Sequence, residues 1–357
     1  MRRPLPLAAI LALLAAVAAV AFWIRVESDP YRLPGADWRV FKARFVAPDG
    51  RVIDTGNGGI THSEGQGYGM LLAEAFRDRR TFDRIWEWTR RNLQTRPDDR
   101  LLSWLWKPAA DGSGAVADPN NASDGEILVA WALLKAFDRW GDYAYQQAAV
   151  EILADVRRLL VVETPNRLAL LPGLHGFNKN GQLLLNPSYY VFPAFRSFEK
   201  KLPGAGWGAL ADAGHRLLEE TRFGRWSLNP DWVTDIPPLT LKSQFPPDFG
   251  YNAIRIPLHV AWEDPASELL GPCAKFWRAF DDLSKMPATV NLETNALSSD
   301  PALPGMQAIA RFAIAAADGR RLTVRDIPAV DHEEPYYSAS LKLLTKVAIR
   351  EAMGGKN

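Results

Sequence analysis

The chain has 357 residues, a hydrophobic fraction of 47% and a formal net charge of +1. Such a chain can bury a large core, which argues against disorder. The near-neutral balance supplies no clustered basic face for nucleic acid. A single cysteine, Cys273, excludes an intrachain disulfide.

In chain order, Arg2 and Arg3 precede an apolar run from Leu5 to Ile24. Ala16 with Ala18, or Ala19 with Ala21, offers an A-x-A cleavage site. Residues 1–25 therefore read as a signal peptide or an uncleaved membrane anchor. Residues 26–357 read as one domain. The expected location is periplasmic or secreted, with membrane contact only through an uncleaved N-terminal segment.

Apolar periodicity then predicts helices over residues 66–77, 81–92, 124–139, 143–160, 189–200, 209–221, 251–263, 274–284, 306–315 and 338–352. The helix over 124–139 shows the period well, with Ile127, Trp131, Leu134 and Phe137 on one face. Strand patterns are scarce, with a weak candidate at 167–171. Gly-, Pro- and Asn-rich loops cover 56–59, 108–121, 172–186 and 229–250. Pattern alone predicts an all-α protein with long functional loops on one side. His62, His175, His215, His259 and His332 form no HxxxH or HExxH pair, and no cysteine cluster exists, so no metal site is expected.

Two constellations carry chemistry. The run T-H-S-E-G-Q-G-Y-G-M over 61–70 places Glu64 just before a helix. Its three glycines are expected to let backbone approach a ligand. Partial burial would raise the Glu64 pKa into the range of a proton donor. The structural alternative is a helix start, with Ser63 as cap and Glu64 favouring the dipole. The segment also contains G-x-G-x-G, but no Rossmann pattern surrounds it. The run A-S-D-G-E-I-L-V-A-W-A-L-L-K-A-F-D-R-W over 122–140 places Asp124 and Glu126 at a helix mouth. Ser123 or Asp124 is a good cap there. In the functional reading, Asp124 faces a cleft, binds a sugar hydroxyl and stabilises an oxocarbenium-like transition state.

At these residues the chain resembles glycoside hydrolase family 8. The A-S-D-G-E-x-x-x-A-W-A-L-L-x-A run resembles the family signature, which usually carries Asp in place of Glu126. H-S-E-G-Q-G-Y-G-M resembles the segment bearing the catalytic acid. S-W-L-W at 103–106, N-P-S-Y-Y at 186–190, Y-N-A-I-R-I-P-L at 251–258 and P-Y-Y-S-A-S-L at 335–341 follow in family order. The resemblance covers roughly Tyr31 to Lys346. It is strongest to the subgroup of endoglucanases associated with bacterial cellulose synthase.

The resemblance implies an (α/α)6 barrel with an open cleft at one end, no cofactor, and inverting hydrolysis of β-1,4-glucan. It makes Glu64 the acid and Asp124 the residue that holds sugar beside the cut. It implies stacking by Trp104, with Trp106 as a second candidate, it puts Tyr189 and Arg255 near the attacking water, and it leaves Asn252 as a substrate-binding residue. It also implies the cellulose synthase complex as a partner. Many members carry an Asp base where this chain has Asn252, and an amide accepts no proton usefully near neutral pH. Asp124, Asp248 and Asp235 are the candidate bases. Xylan, chitosan and mixed-linkage glucan are alternative substrates, and a non-catalytic glucan-binding protein is the rival reading.

Overall fold

The computed structural model describes residues 29–111, 113–235 and 238–355. The signal or anchor expected over residues 1–25 lies outside them. Among the described residues there are eleven α-helices: α1 (Gly35–Phe45), α2 (Ser63–Ala75), α3 (Arg79–Asn92), α4 (Ser123–Trp140), α5 (Tyr143–Leu159), α6 (Phe192–Lys201), α7 (Trp207–Glu220), α8 (Arg255–Glu263), α9 (Gly271–Trp277), α10 (Pro304–Ala317) and α11 (Tyr336–Met353). Helices α2, α4, α6, α8, α10 and α11 pack in a ring, and α11 returns against α2 to close it. Helices α3, α5, α7, α9 and α1 lie outside, against α2, α4, α6, α10 and α11 respectively. This is the (α/α)6 barrel expected from the sequence.

Position in the ring explains the composition of each helix. Inner α8 buries every residue from Arg255 to Trp262. Inner α4 is buried without interruption from Ser123 to Leu134, so its apolar stripe widens to nearly all faces. Outer α3 buries Thr81, Phe82, Ile85, Trp88 and Thr89 and carries Arg90 and Arg91 in its last turn, the pattern of a helix wet on one side. The glycines of α2 act differently from expectation. A Cβ on Gly67 would come 2.6 Å from Leu128 Cβ, and one on Gly125 would overlap the Ser63 side chain. Gly67 of α2 and Gly125 of α4 let the two helices cross almost backbone to backbone, while Gly65 makes room for Tyr336 and His62 and Gly69 for Val52 and Ile85.

Short strands occupy the loops. β1 (Thr61–His62), β2 (Leu105–Pro108) and β3 (Gly114–Asp118) form one antiparallel sheet in that order. β4 (Val161–Glu163) pairs with β5 (Leu168–Leu170), which falls in the candidate strand at 167–171. β6 (Asn178–Lys179), β7 (Gln182–Leu185) and β8 (Val233–Asp235) form a second three-stranded sheet, and β9 (Asp248–Phe249) pairs with β10 (Val290–Asn291). Several helix ends differ from the expected ones. Residues 187–189 form a 3-10 turn, and α6 starts only at Phe192. The helix expected over 251–263 begins at Arg255. The amides of Gly250, Asn252 and Ala253 are bound instead to Asp231 Oδ1, at 3.1, 3.1 and 2.6 Å. The expected 274–284 helix ends at Trp277.

Candidate active site

Glu64 lies in the first turn of α2, one residue after β1. Strand pairing puts His62 opposite Leu105, and the Ser63 amide donates to the Trp104 carbonyl at 3.1 Å. The sheet thereby carries Trp104 to the Glu64 turn. The helix is capped by His62 rather than by Ser63: His62 Nδ1 accepts the Gly65 amide at 3.0 Å, while the buried Ser63 hydroxyl has no partner. His62 Nε2 lies 3.7 Å from an Asp54 carboxylate oxygen, and Nδ1 lies 3.7 Å from Glu64 Oε2. One turn along α2, the Tyr68 hydroxyl donates to Glu64 Oε1 at 2.7 Å.

Arg255, buried at the start of α8, is the hub of the site. Its Nη1 contacts Glu64 Oε1 and lies 3.2 Å from Asp124 Oδ2. Its Nη2 donates to Ser188 Oγ and to Asn252 Oδ1, each at 2.8 Å. The guanidinium sits 5.7 Å from the centre of the Tyr189 ring. Glu64, Asp124, Tyr189, Asn252 and Arg255 are therefore neighbours, although they come from four separate stretches of sequence. Tyr68 and Ser188 join them. Both stood inside the quoted motifs, but only the folded chain brings them to the guanidinium.

Helix α4 begins without a side-chain cap. Asp124 Oδ1 accepts the Gly125 amide at 2.9 Å, and Oδ2 faces Arg255. Burial, then the charge of Glu126, pushes the Asp124 carboxyl up to about 8, while the nearby guanidinium opposes that rise. Glu126 points into the protein. It accepts the Leu102 amide at 2.8 Å and the Asn121 side-chain amide at 3.0 Å, and burial lifts it to about 7. It thus ties down the loop that leads to Trp104.

Trp106 does not have the exposure that a stacking role needs. It is 9% exposed. The Arg51 guanidinium lies 4.8 Å from its centre, Trp88 packs edge-on at 5.5 Å, and a Cβ on Gly114 would overlap it. Both faces are used by the fold. Trp104 is half-buried and stays available beside Glu64. Trp106→Ala is therefore expected to cost about 3–5 kcal/mol of stability. Trp104→Ala is expected to keep the wild-type melting temperature and to weaken cellooligosaccharide binding. Chemical denaturation and calorimetric titration of the two variants check this, and equal destabilisation of both would refute it.

The candidate bases are separated by the structure. Asp235 is committed to an ion pair with Arg167 at 3.1 Å, and the same guanidinium binds Glu220. Asp248, in β9, accepts from Asn291 Nδ2 at 3.2 Å, and burial raises its pKa. A carboxylate that the sequence did not single out, Asp231, sits against the turn that carries Asn252.

A helical barrel with a buried guanidinium clasping two carboxylates beside a half-buried tryptophan is the framework of a polysaccharide-cleaving hydrolase. The chain belongs to the family described as glycosyl hydrolases family 8, which it matches over residues 4–351. It is 39% identical over 318 residues to an endoglucanase of Cellulomonas uda, covering 88% of this chain and 87% of the relative. It is 38% identical to a probable endoglucanase of Novacetimonas hansenii, covering 88% and 90%. Its fold is similar to that of endoglucanase Cel10, a family 8 glycosyl hydrolase from Klebsiella pneumoniae, with a TM-score of 0.82, 38% identity, and coverage of 88% and 99%.

Proposed function

We propose that this glycoside hydrolase is an endo-β-1,4-glucanase that cuts cellulose-type glucan with inversion at the anomeric carbon. The observation that carries the reading is Arg255 bridging Glu64 and Asp124 beside Trp104, in a chain whose relatives are named endoglucanases. Glu64 is the proton donor to the glycosidic oxygen. Asp124 holds the sugar next to the cut through hydrogen bonding. Trp104 supplies a flat face for a neighbouring glucose, Tyr189 borders the site, and Asn252, its amide held by Arg255, orients a hydroxyl or the water.

The basic and apolar N-terminal sequence supports export to the periplasm or the exterior, and the subgroup resemblance supports a role in cellulose synthesis beside the synthase complex. The test is hydrolysis of carboxymethylcellulose followed by reducing-end release, with the anomer of fresh cellooligosaccharide products read by proton NMR. The expected result is rapid loss of viscosity and α-anomeric product. Binding of cellooligosaccharide without any cleavage would instead favour the glucan-binding reading, which Asn252 motivates.

A further inference from the structure

Inversion needs a carboxylate to take the proton of the attacking water. Asn252 has none to offer, and its amide oxygen is already engaged by Arg255. The neighbouring acids differ in what their oxygens are doing. Both oxygens of Asp124 are taken, by the Gly125 amide and by Arg255, and the residue is 3% exposed. Both oxygens of Glu126 are taken as well, by Leu102 and Asn121. Asp248 accepts only the Asn291 side-chain amide, through Oδ1, and no backbone amide among the described residues fixes its carboxyl.

Asp231 is built differently. Its Oδ1 accepts three amides, from Gly250, Asn252 and Ala253, which fixes the carboxyl against the turn that leads into Arg255. Its own amide donates to the Asp248 carbonyl at 2.7 Å. The side chain of the next residue, Trp232, is stacked between Phe177 and Phe245, with ring centres 5.8 and 4.3 Å away, so the segment cannot swing freely. Tyr189, which lies under the Arg255 guanidinium, meets the edge of the same Trp232. Oδ2 of Asp231 lies beside Gly250 on a half-buried side chain and receives no hydrogen bond among the described residues. One oxygen is a mount and the other has no partner among those residues.

We propose that Asp231 is the general base of this enzyme, an inference that rests on the inverting glucanase reading above. In the step, the water oxygen bonds to the anomeric carbon and the bond from that carbon to the glycosidic oxygen breaks. The Glu64 proton goes to the departing oxygen, and a water proton goes to Asp231 Oδ2. Glu64 leaves the step ionised and Asp231 protonated, and exchange with solvent resets both. Burial lifts the Asp231 carboxyl to about 6 against the three amides that pull it down, which suits a base working near neutral pH.

The test compares Asp231→Asn, Asp248→Asn and Asp124→Asn with the wild-type enzyme in single-turnover cleavage of cellopentaose, with and without sodium azide. Asp231→Asn is expected to slow cleavage by about 10²–10⁴-fold. It should bind cellopentaose as the wild type does and recover part of its rate in azide, yielding an α-glycosyl azide. A purely structural Asp231 would give no azide product. Wild-type turnover in Asp231→Asn, or azide rescue of Asp248→Asn or Asp124→Asn in its place, overturns the assignment. Should Asp231→Asn fail to fold, the wild-type pH profile decides. A rising limb of kcat/KM centred near pH 6 supports Asp231, and one in the ordinary carboxylate range of about 4 overturns it. A wild-type chain that cleaves nothing overturns the glucanase reading as well, whereas an active wild type with an unaffected Asp231→Asn overturns this inference alone.

Discussion

Glu64→Gln is expected to remove nearly all hydrolysis of cellooligosaccharides, by about 10²–10⁴-fold in kcat, while glucan binding survives. The amide is nearly isosteric with the acid and can still accept from the Tyr68 hydroxyl that now meets Oε1. It carries no acidic proton, so the departing oxygen must leave as an alkoxide or draw on water. The loss should be largest for unactivated substrates, whose leaving groups most need protonation. Steady-state kinetics on cellopentaose, paired with calorimetric titration of the same variant, separates the two effects. Wild-type turnover in Glu64→Gln would remove Glu64 from the role.

Arg255→Met is the second large effect. The guanidinium is 4% exposed and serves two carboxylates, so its removal leaves Glu64 and Asp124 facing each other without a counter-charge. Breaking a buried charge cluster in this way costs about 3–5 kcal/mol. The cost should depend on pH. Asp124 already has its pKa raised to about 8 in the folded protein, against 3.8 for the free side chain. In that interval the folded state binds more protons than the unfolded one, so stability falls as pH rises. Without Arg255 the Asp124 carboxyl keeps its proton to still higher pH, so the fall continues beyond pH 8 instead of ending there. Urea unfolding at about pH 6 and about pH 9.5 should show the greater deficit at the higher pH, above the folded-state pKa of Asp124. A deficit that is equal at the two values would mean that Arg255 contributes packing rather than charge.

The helical plan was legible because inner and outer helices both leave a 3.6-residue trace, and nine of the ten predicted helices overlap their observed counterparts closely or by most of their length. Helix α1 was missed. Its first turn contains Asp37, which reads as a surface residue but is buried against Lys346, 309 positions away, at 2.5 Å. The resemblance also misled at Trp106. Residues two apart share a face in a regular strand, yet the ladder shifts register between Leu105 and Trp106, and the Trp104 and Trp106 rings part company. The site residues in compact motifs were visible, because Glu64 and Asp124 each open a helix. Asp231 was not. Its partners are amides about twenty positions away, and amides carry no signature in a sequence.

The closing helix α11 has a further consequence. It packs on α1, α2, α8 and α10, and it buries two lysines in ion pairs: Lys346 with Asp37 and Lys342 with Glu334. It also brings Tyr337 to the Tyr251 carbonyl, at the turn before Arg255. The ring therefore has a seam, and the stave that shuts it is the last described helix in chain order. Until α11 docks, five inner staves keep their apolar sides unsealed and the reaction centre lacks its back wall. A chain cut short before α11 therefore carries no assembled glucan-cutting site.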